Sequence, residues 1–149
     1  MKKIFAICLA LLTLVSCSDE KNNLTTLPKD SVIVSIPDIG SKSLSDVEKV
    51  IGKSQKCEKS KYGQHCVFAN GDIEITFINE KADWITVNSV KGKKFDDSSL
   101  GLLGLPKTKV NFKNEHVARW GNIQNYLDVE FALDGQDKIF FGYIKVNTK

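Results

Sequence analysis

The sequence predicts an α+β domain in which one or two short helices pack on an antiparallel β-meander, with a looser second copy of the same plan. Three observations carry this expectation. Ser43 to Gly52 has helical spacing with a start and a stop signal. Cys66 to Val87 alternates apolar and polar residues around an Asn70-Gly71 turn pair. Leu127 to Val146 alternates again around Asp134-Gly135.

In chain order, Met1-Lys2-Lys3 is a short basic opening followed by the apolar run Ile4 to Val15, too short for a transmembrane helix of about 20 residues. Its end, Leu14-Val15-Ser16-Cys17, resembles the lipobox of bacterial lipoproteins at all four positions. That resemblance implies a signal peptide over 1–16 and a diacylglycerol-bearing Cys17 as the first mature residue, holding the chain to a membrane. Residues 17–30 are polar and weakly patterned, as a lipidated tether should be, and Ser18 after the cysteine fits the outer-membrane side of the enteric sorting rule. The folded domain is then 31–149, with candidate repeats at 31–92 and 93–149.

Ser31 to Ile36 reads as a first strand stopped by Pro37. In the helix that follows, Leu44, Val47 and Val50 or Ile51 share a face, Ser43 and Asp46 form a capping pattern, and Gly52 is the left-handed stop. With Cys8 removed and Cys17 acylated, only Cys57 and Cys66 remain; oxidising conditions outside the cytoplasm pair them across the turn-rich stretch Glu58 to His65. The strands Cys66 to Ala69, Asp72 to Ile78 and Ala82 to Val87 complete a three-stranded meander. Leu100 to Pro106 echoes the first helix end, and Leu127 to Leu133 with Lys138 to Val146 forms a second hairpin. Duplication and convergent use of the same short turns both account for these echoes.

A short helix ending in Val50-Ile51-Gly52 or Leu102-Leu103-Gly104-Leu105-Pro106, followed by an antiparallel meander, looks like the small outer-membrane lipoproteins of the BamE (SmpA/OmlA) type and the related β-lactamase-inhibitor-like fold. The resemblance covers about 43–90 and again 98–146. It implies a fold and supplies no site residues.

Composition narrows the function. Once Lys2 and Lys3 leave with the signal, 19 basic side chains face 18 acidic ones, which gives no support to a nucleic-acid partner. Arg119 is the single arginine, so bidentate phosphate recognition is disfavoured. Only His65 and His116 are available for acid/base work, His116 in Lys113 to Trp120, which reads as a solvated connecting segment; no nucleophile or phosphate-loop motif is present, and neither cofactor nor metal is expected. Adjacent His65 and Cys66 point to opposite sides of a strand, which argues against a shared metal. Trp84 shares the polar side of its strand with Thr86, and Tyr62 sits in the disulfide loop; these two are the candidate binding residues. The expected function is non-enzymatic: a membrane-anchored scaffold that binds another envelope protein. The alternatives are an inhibitor of a hydrolase such as lysozyme or a β-lactamase and, behind it, a small cell-wall enzyme.

Overall fold

The computed structural model describes residues 31–149; the signal segment, Cys17 and the tether read from residues 1–30 lie outside the described residues. Two short helices, α1 (Ile36–Ile39) and α2 (Leu44–Ile51), precede a first run of strands: β1 (Lys56–Ser60), β2 (Gly63–Phe68), β3 (Ile73–Ile78) and β4 (Lys81–Val87). A 3-10 turn at Ser99–Leu103 leads to the second run: β5 (Phe112–Lys113), β6 (Val117–Ile123), β7 (Tyr126–Leu133) and β8 (Ile139–Val146). All eight strands form one antiparallel sheet in the order β1-β2-β3-β4-β8-β7-β6-β5. Two four-stranded meanders thus meet along their last strands.

This corrects the α+β expectation: the fold is predominantly β, an eight-stranded sheet accompanied by two short helices. Two segments read as loops are strands. Glu58 to His65, read as a turn-rich loop, forms most of the hairpin β1–β2, which turns at Lys61-Tyr62. Lys113 to Trp120, read as a connecting segment around His116, contributes the end of β5 and the start of β6. The first strand expected at Ser31 to Ile36 is absent, and α1 begins at Ile36 with Pro37 in its first turn. Proline's fixed φ and missing N–H suit a helix start, so it opens a helix here instead of closing a strand. The amides of Ile33 and Val34 both turn onto Leu102 O.

Helix α2 forms as its sequence dictates: Ser43 Oγ accepts from Asp46 N, and Gly52 at φ 90° ends it. Val47 is buried, Leu44 and Ile51 pack beside it, and Val50 faces solvent. The Asn70-Gly71 pair does join β2 to β3, through a four-residue connection between Phe68 and Ile73. A two-residue turn with positive φ at both positions, Asn79-Glu80, joins Ile78 to Lys81.

One face of the sheet is covered. Ile73, Ile75, Ile85, Val87, Ile144, Val129 and Phe131 point into the core, where Ile36, Ile39, Val47, Leu100 and Leu103 close over them. The other face is open to solvent. Three bulges interrupt the register, placing an extra residue at Asp83 in β4, Leu127 in β7 and Phe140 in β8. A bulge bends its strand and re-aims side chains. Leu127 and Phe140 are themselves exposed, and Trp84, next to Asp83, is exposed too.

Candidate functional site

Trp84 stands near the centre of the open face and is 45% exposed. Alternation explains why: Ile85 and Val87 take the covered face, leaving Trp84 and Thr86 to the other. Its position is fixed by β8, in which Lys145 lies opposite Trp84 and Tyr143 opposite Thr86. The Tyr143 ring meets the indole edge-on at 5.5 Å, and the Lys145 ammonium lies 5.2 Å from the Trp84 ring centre. Both contacts hold an exposed indole in one orientation, which lowers the entropy lost when a partner covers it.

Lys145 is itself held. It forms an ion pair with Asp83, whose side chain is 3% exposed, and Thr148 donates to the other Asp83 oxygen. A carboxylate this deep requires a partner, and Lys145 and Thr148 supply one each. The bulge therefore sets a buried charge beside the exposed indole.

Toward β7 and β6 the open face becomes acidic. Glu130 accepts from Arg119 Nε at 2.8 Å, and the same guanidinium lies 3.5 Å from Asp128. Burial pushes the Asp128 carboxyl up, Arg119 opposes that, and Glu130 adds to it. Asp128 Oδ1 is buried without a hydrogen-bond partner among the described residues. Burial, and then the carboxylates of Asp128, Asp83 and Glu130, push the Tyr143 hydroxyl up to about 12. Tyr143 therefore stays a neutral donor at physiological pH.

Tyr62, the other sequence-predicted binding residue, lies at the tip of the β1–β2 hairpin and is 69% exposed. Ser60 Oγ accepts from the Tyr62 amide, and the Lys61 ammonium lies 4.7 Å from the Tyr62 ring centre. A shallow cleft of about 340 Å³ beside the tip is lined by Lys59, Gln64, Phe77 and Glu80. Gly63 is required here: a Cβ on it would come within 2.2 Å of Phe77 O. Two strand spacings, about 10 Å, separate β2 from β4, so Tyr62 and Trp84 form two contact points and not one cluster.

Cys57 and Cys66 form a disulfide between directly opposed residues of β1 and β2, with Cα atoms 4.1 Å apart. Cys66 faces the core, whereas His65 lies on the open face with Nε2 3.3 Å from Glu74 Oε2 and Nδ1 3.3 Å from Thr76 Oγ1. His116 is exposed beside Glu115. No group of three or more His, Cys, Asp or Glu is placed to hold a metal ion among the described residues. Phe95, Trp120 and Tyr126 are core residues.

The braces of Trp84 are not legible in the sequence. Tyr143 and Lys145 alternate with buried Ile144, so their exposure was readable, but the pairing of β4 with β8 that brings them to the indole was not.

No protein-family model matches the chain, and no curated protein matches it. Among solved structures, an extracellular protein containing a SCP domain from Bacillus anthracis str. Ames superposes with a TM-score of 0.55 at 10% sequence identity. The match covers 91% of this chain and 51% of that one, so the chain spans about half the length of the protein it resembles. At that identity the likeness is one of fold.

Proposed function

We propose that this chain is a lipid-anchored binding module of the bacterial cell envelope, on the outer-membrane side, that holds another envelope protein against the open face of its sheet and catalyses no reaction. The observation that carries this reading is the braced Trp84. An exposed indole fixed by an aromatic edge and by a lysine that a buried carboxylate holds, with Thr86 on the same face, has the make-up of a binding hot spot: a rigid aromatic anchor among polar neighbours. The lipobox-like Leu14 to Cys17 supplies the address, and a tether of about a dozen residues reaches roughly 20 Å, which raises the domain's effective concentration for neighbours at the membrane.

Photo-crosslinking from positions 84 and 62 in intact cells tests the reading. Recovery of one discrete envelope protein from position 84, weakened by Lys145→Ala, is the expected result. Trp84→Ala should cost about 1–3 kcal/mol of binding. Absence of any crosslinked partner from either position would overturn the reading. Mass spectrometry of the amino-terminal peptide tests the anchor: the expected species is acylated Cys17, and an unmodified terminus elsewhere would remove it. A second reading, capture of a hydrolase, is favoured by Tyr62 at the tip of a stapled hairpin, a shape that enters a cleft. A hydrolase crosslinked from position 62 with none from 84 would select it.

A further inference from the structure

Four exposed lysines and an exposed phenylalanine converge at the Ile139 end of β8. The segment before the Ser99–Leu103 turn runs alongside that end: Gly92 N donates to Ile139 O at 2.7 Å, Ile139 N to Lys93 O at 2.8 Å, and Lys94 forms an isolated bridge with Lys138. Phe140, the extra residue of the β8 bulge, is 51% exposed, its ring 5.8 Å from that of Phe141 and 5.0 Å from the Lys91 ammonium. Lys91, Lys93, Lys94 and Lys138 are all exposed, and none takes part in an ion pair among the described residues. Of the nearby carboxylates, Asp137 pairs with Lys113, Asp96 accepts from Ser98, and Asp134 accepts from the amides of Gln136 and Lys138, and none of the three forms an ion pair with these four lysines.

The direction of the entering chain adds a second, independent observation. Ile33 and Val34 are tied to Leu102 O, and Ser35 lies against Gly104. Leu103, next to these two, faces Gly142 of β8, whereas Gly40 faces Val146 at the far end of the same strand. The chain from Ile33 to Gly40 therefore runs in the same direction as β8. Followed backward from Gly40 to Ile33, the described chain heads toward the Ile139 end, where the lysines and Phe140 lie.

We infer that this end of the sheet docks on an anionic lipid surface, with Phe140 entering the headgroup layer and Lys91, Lys93, Lys94 and Lys138 lying over lipid phosphates. An exposed phenylalanine among basic residues can bury at the headgroup–acyl boundary, and the lysines beside it gain from the negative surface potential. With Ile33 to Gly40 running away from that end, lipid on Cys17 and the patch can engage one membrane together. Docked this way, the sheet stands on its end, and Trp84, which lies across from Lys145 five residues along β8 from Phe140, is held above the surface within reach of a membrane-protein partner. The choice of a lipid surface rests on the anchored reading above.

Amide exchange of the full chain, followed by mass spectrometry, tests it on vesicles of phosphatidylcholine alone and of phosphatidylcholine mixed with phosphatidylglycerol. The expected result is slowed exchange confined to residues 90–95 and 137–141 on the anionic vesicles, lost at high salt. The triple variant Lys91→Glu, Lys93→Glu, Lys94→Glu should bind those vesicles about tenfold more weakly or worse, with an unchanged melting temperature. Phe140→Ser should lose protection on the same segments. Equal exchange on both vesicle types, or protection of these segments by soluble polyphosphate and not by anionic vesicles, would overturn the inference. Acylation of Cys17 is read separately from the mass of the amino-terminal peptide. The unacylated chain must still show the charge-dependent protection for the inference to stand.

Discussion

The two meanders share a plan and differ in what holds it. In the first, the edge strand β1 buries almost nothing: of Lys56 to Ser60 only Cys57 is even half-buried. The disulfide to Cys66 fastens this strand where burial does not. The second meander has no cross-link; its inner strands are locked from beneath by an aromatic cluster, with Trp120 5.8 Å from Phe131 and 6.0 Å from Phe95. Trp120 also donates from Nε1 to Thr108 O at 3.0 Å. A polar edge strand discourages pairing with foreign chains but forgoes hydrophobic stabilisation, and a covalent bond offsets that loss. Where the apolar residues lie one strand further in, packing suffices.

The largest test breaks the second half. Trp120→Ala should lose about 3–5 kcal/mol of folding stability, read by denaturant unfolding, since it empties the centre of the aromatic cluster. At the seam, Lys145→Met strands Asp83 without its cation. With Lys145 one quarter exposed, a loss of about 2–3 kcal/mol is expected, and the double variant with Asp83→Asn should recover most of it. Replacing Cys57 and Cys66 by alanine should cost about 2–3 kcal/mol and accelerate amide exchange in β1 while leaving β6 and β7 unchanged. Uniform acceleration across all strands would erase the contrast between the halves.

The smallest test uses pH, and its sign differs between the halves. Hydrogen bonds from Lys53 and Ser54 hold the Glu48 carboxyl at about 2, well below its ordinary 4.5. Its contribution is present above pH 4.5 and is lost as pH falls through about 2. Asp128 in the second half is shifted upward from 3.8 by burial, so it favours folding at low pH and loses that contribution as pH rises through its raised value. In melting curves across this acid range, Glu48→Gln should flatten the fall toward low pH, whereas Asp128→Asn should raise stability at neutral pH. Identical pH profiles for both variants would refute the opposed signs.

The sequence made the central strands readable and left the margins obscure. The cap at Ser43, the stop at Gly52 and the alternation of Ile73, Ile75 and Phe77 each leave a local trace, because one face of each element is buried. Strand β1 leaves none, since a strand exposed on nearly all sides has no alternation to read. In β6 the Gly121-Asn122 pair mimics a turn, although Ala118, Trp120 and Ile123 are buried around it. The six residues Ser31 to Ile36 have strand composition, but none of them belongs to the sheet. At the site, the exposure of Trp84 and Tyr62 followed from position in strand and loop. The brace did not, because Tyr143 and Lys145 reach Trp84 across a pairing of the fourth and the eighth strand, and the bulge at Asp83 has no sequence signature.

The strand order also governs how the molecule can be made. A chain emerging from its amino end completes β1 to β4 as a meander early, yet the free edge of β4, carrying Ile85 and Val87, finds its partner only when β8 arrives. Until then the nascent molecule carries an unsatisfied row of backbone donors and acceptors beside an apolar surface, the condition under which partly built sheets join one another. Closure of the sheet therefore waits for β8, the last of the described strands to emerge. A chain stopped before Ile139 would have a finished first half and no way to protect it.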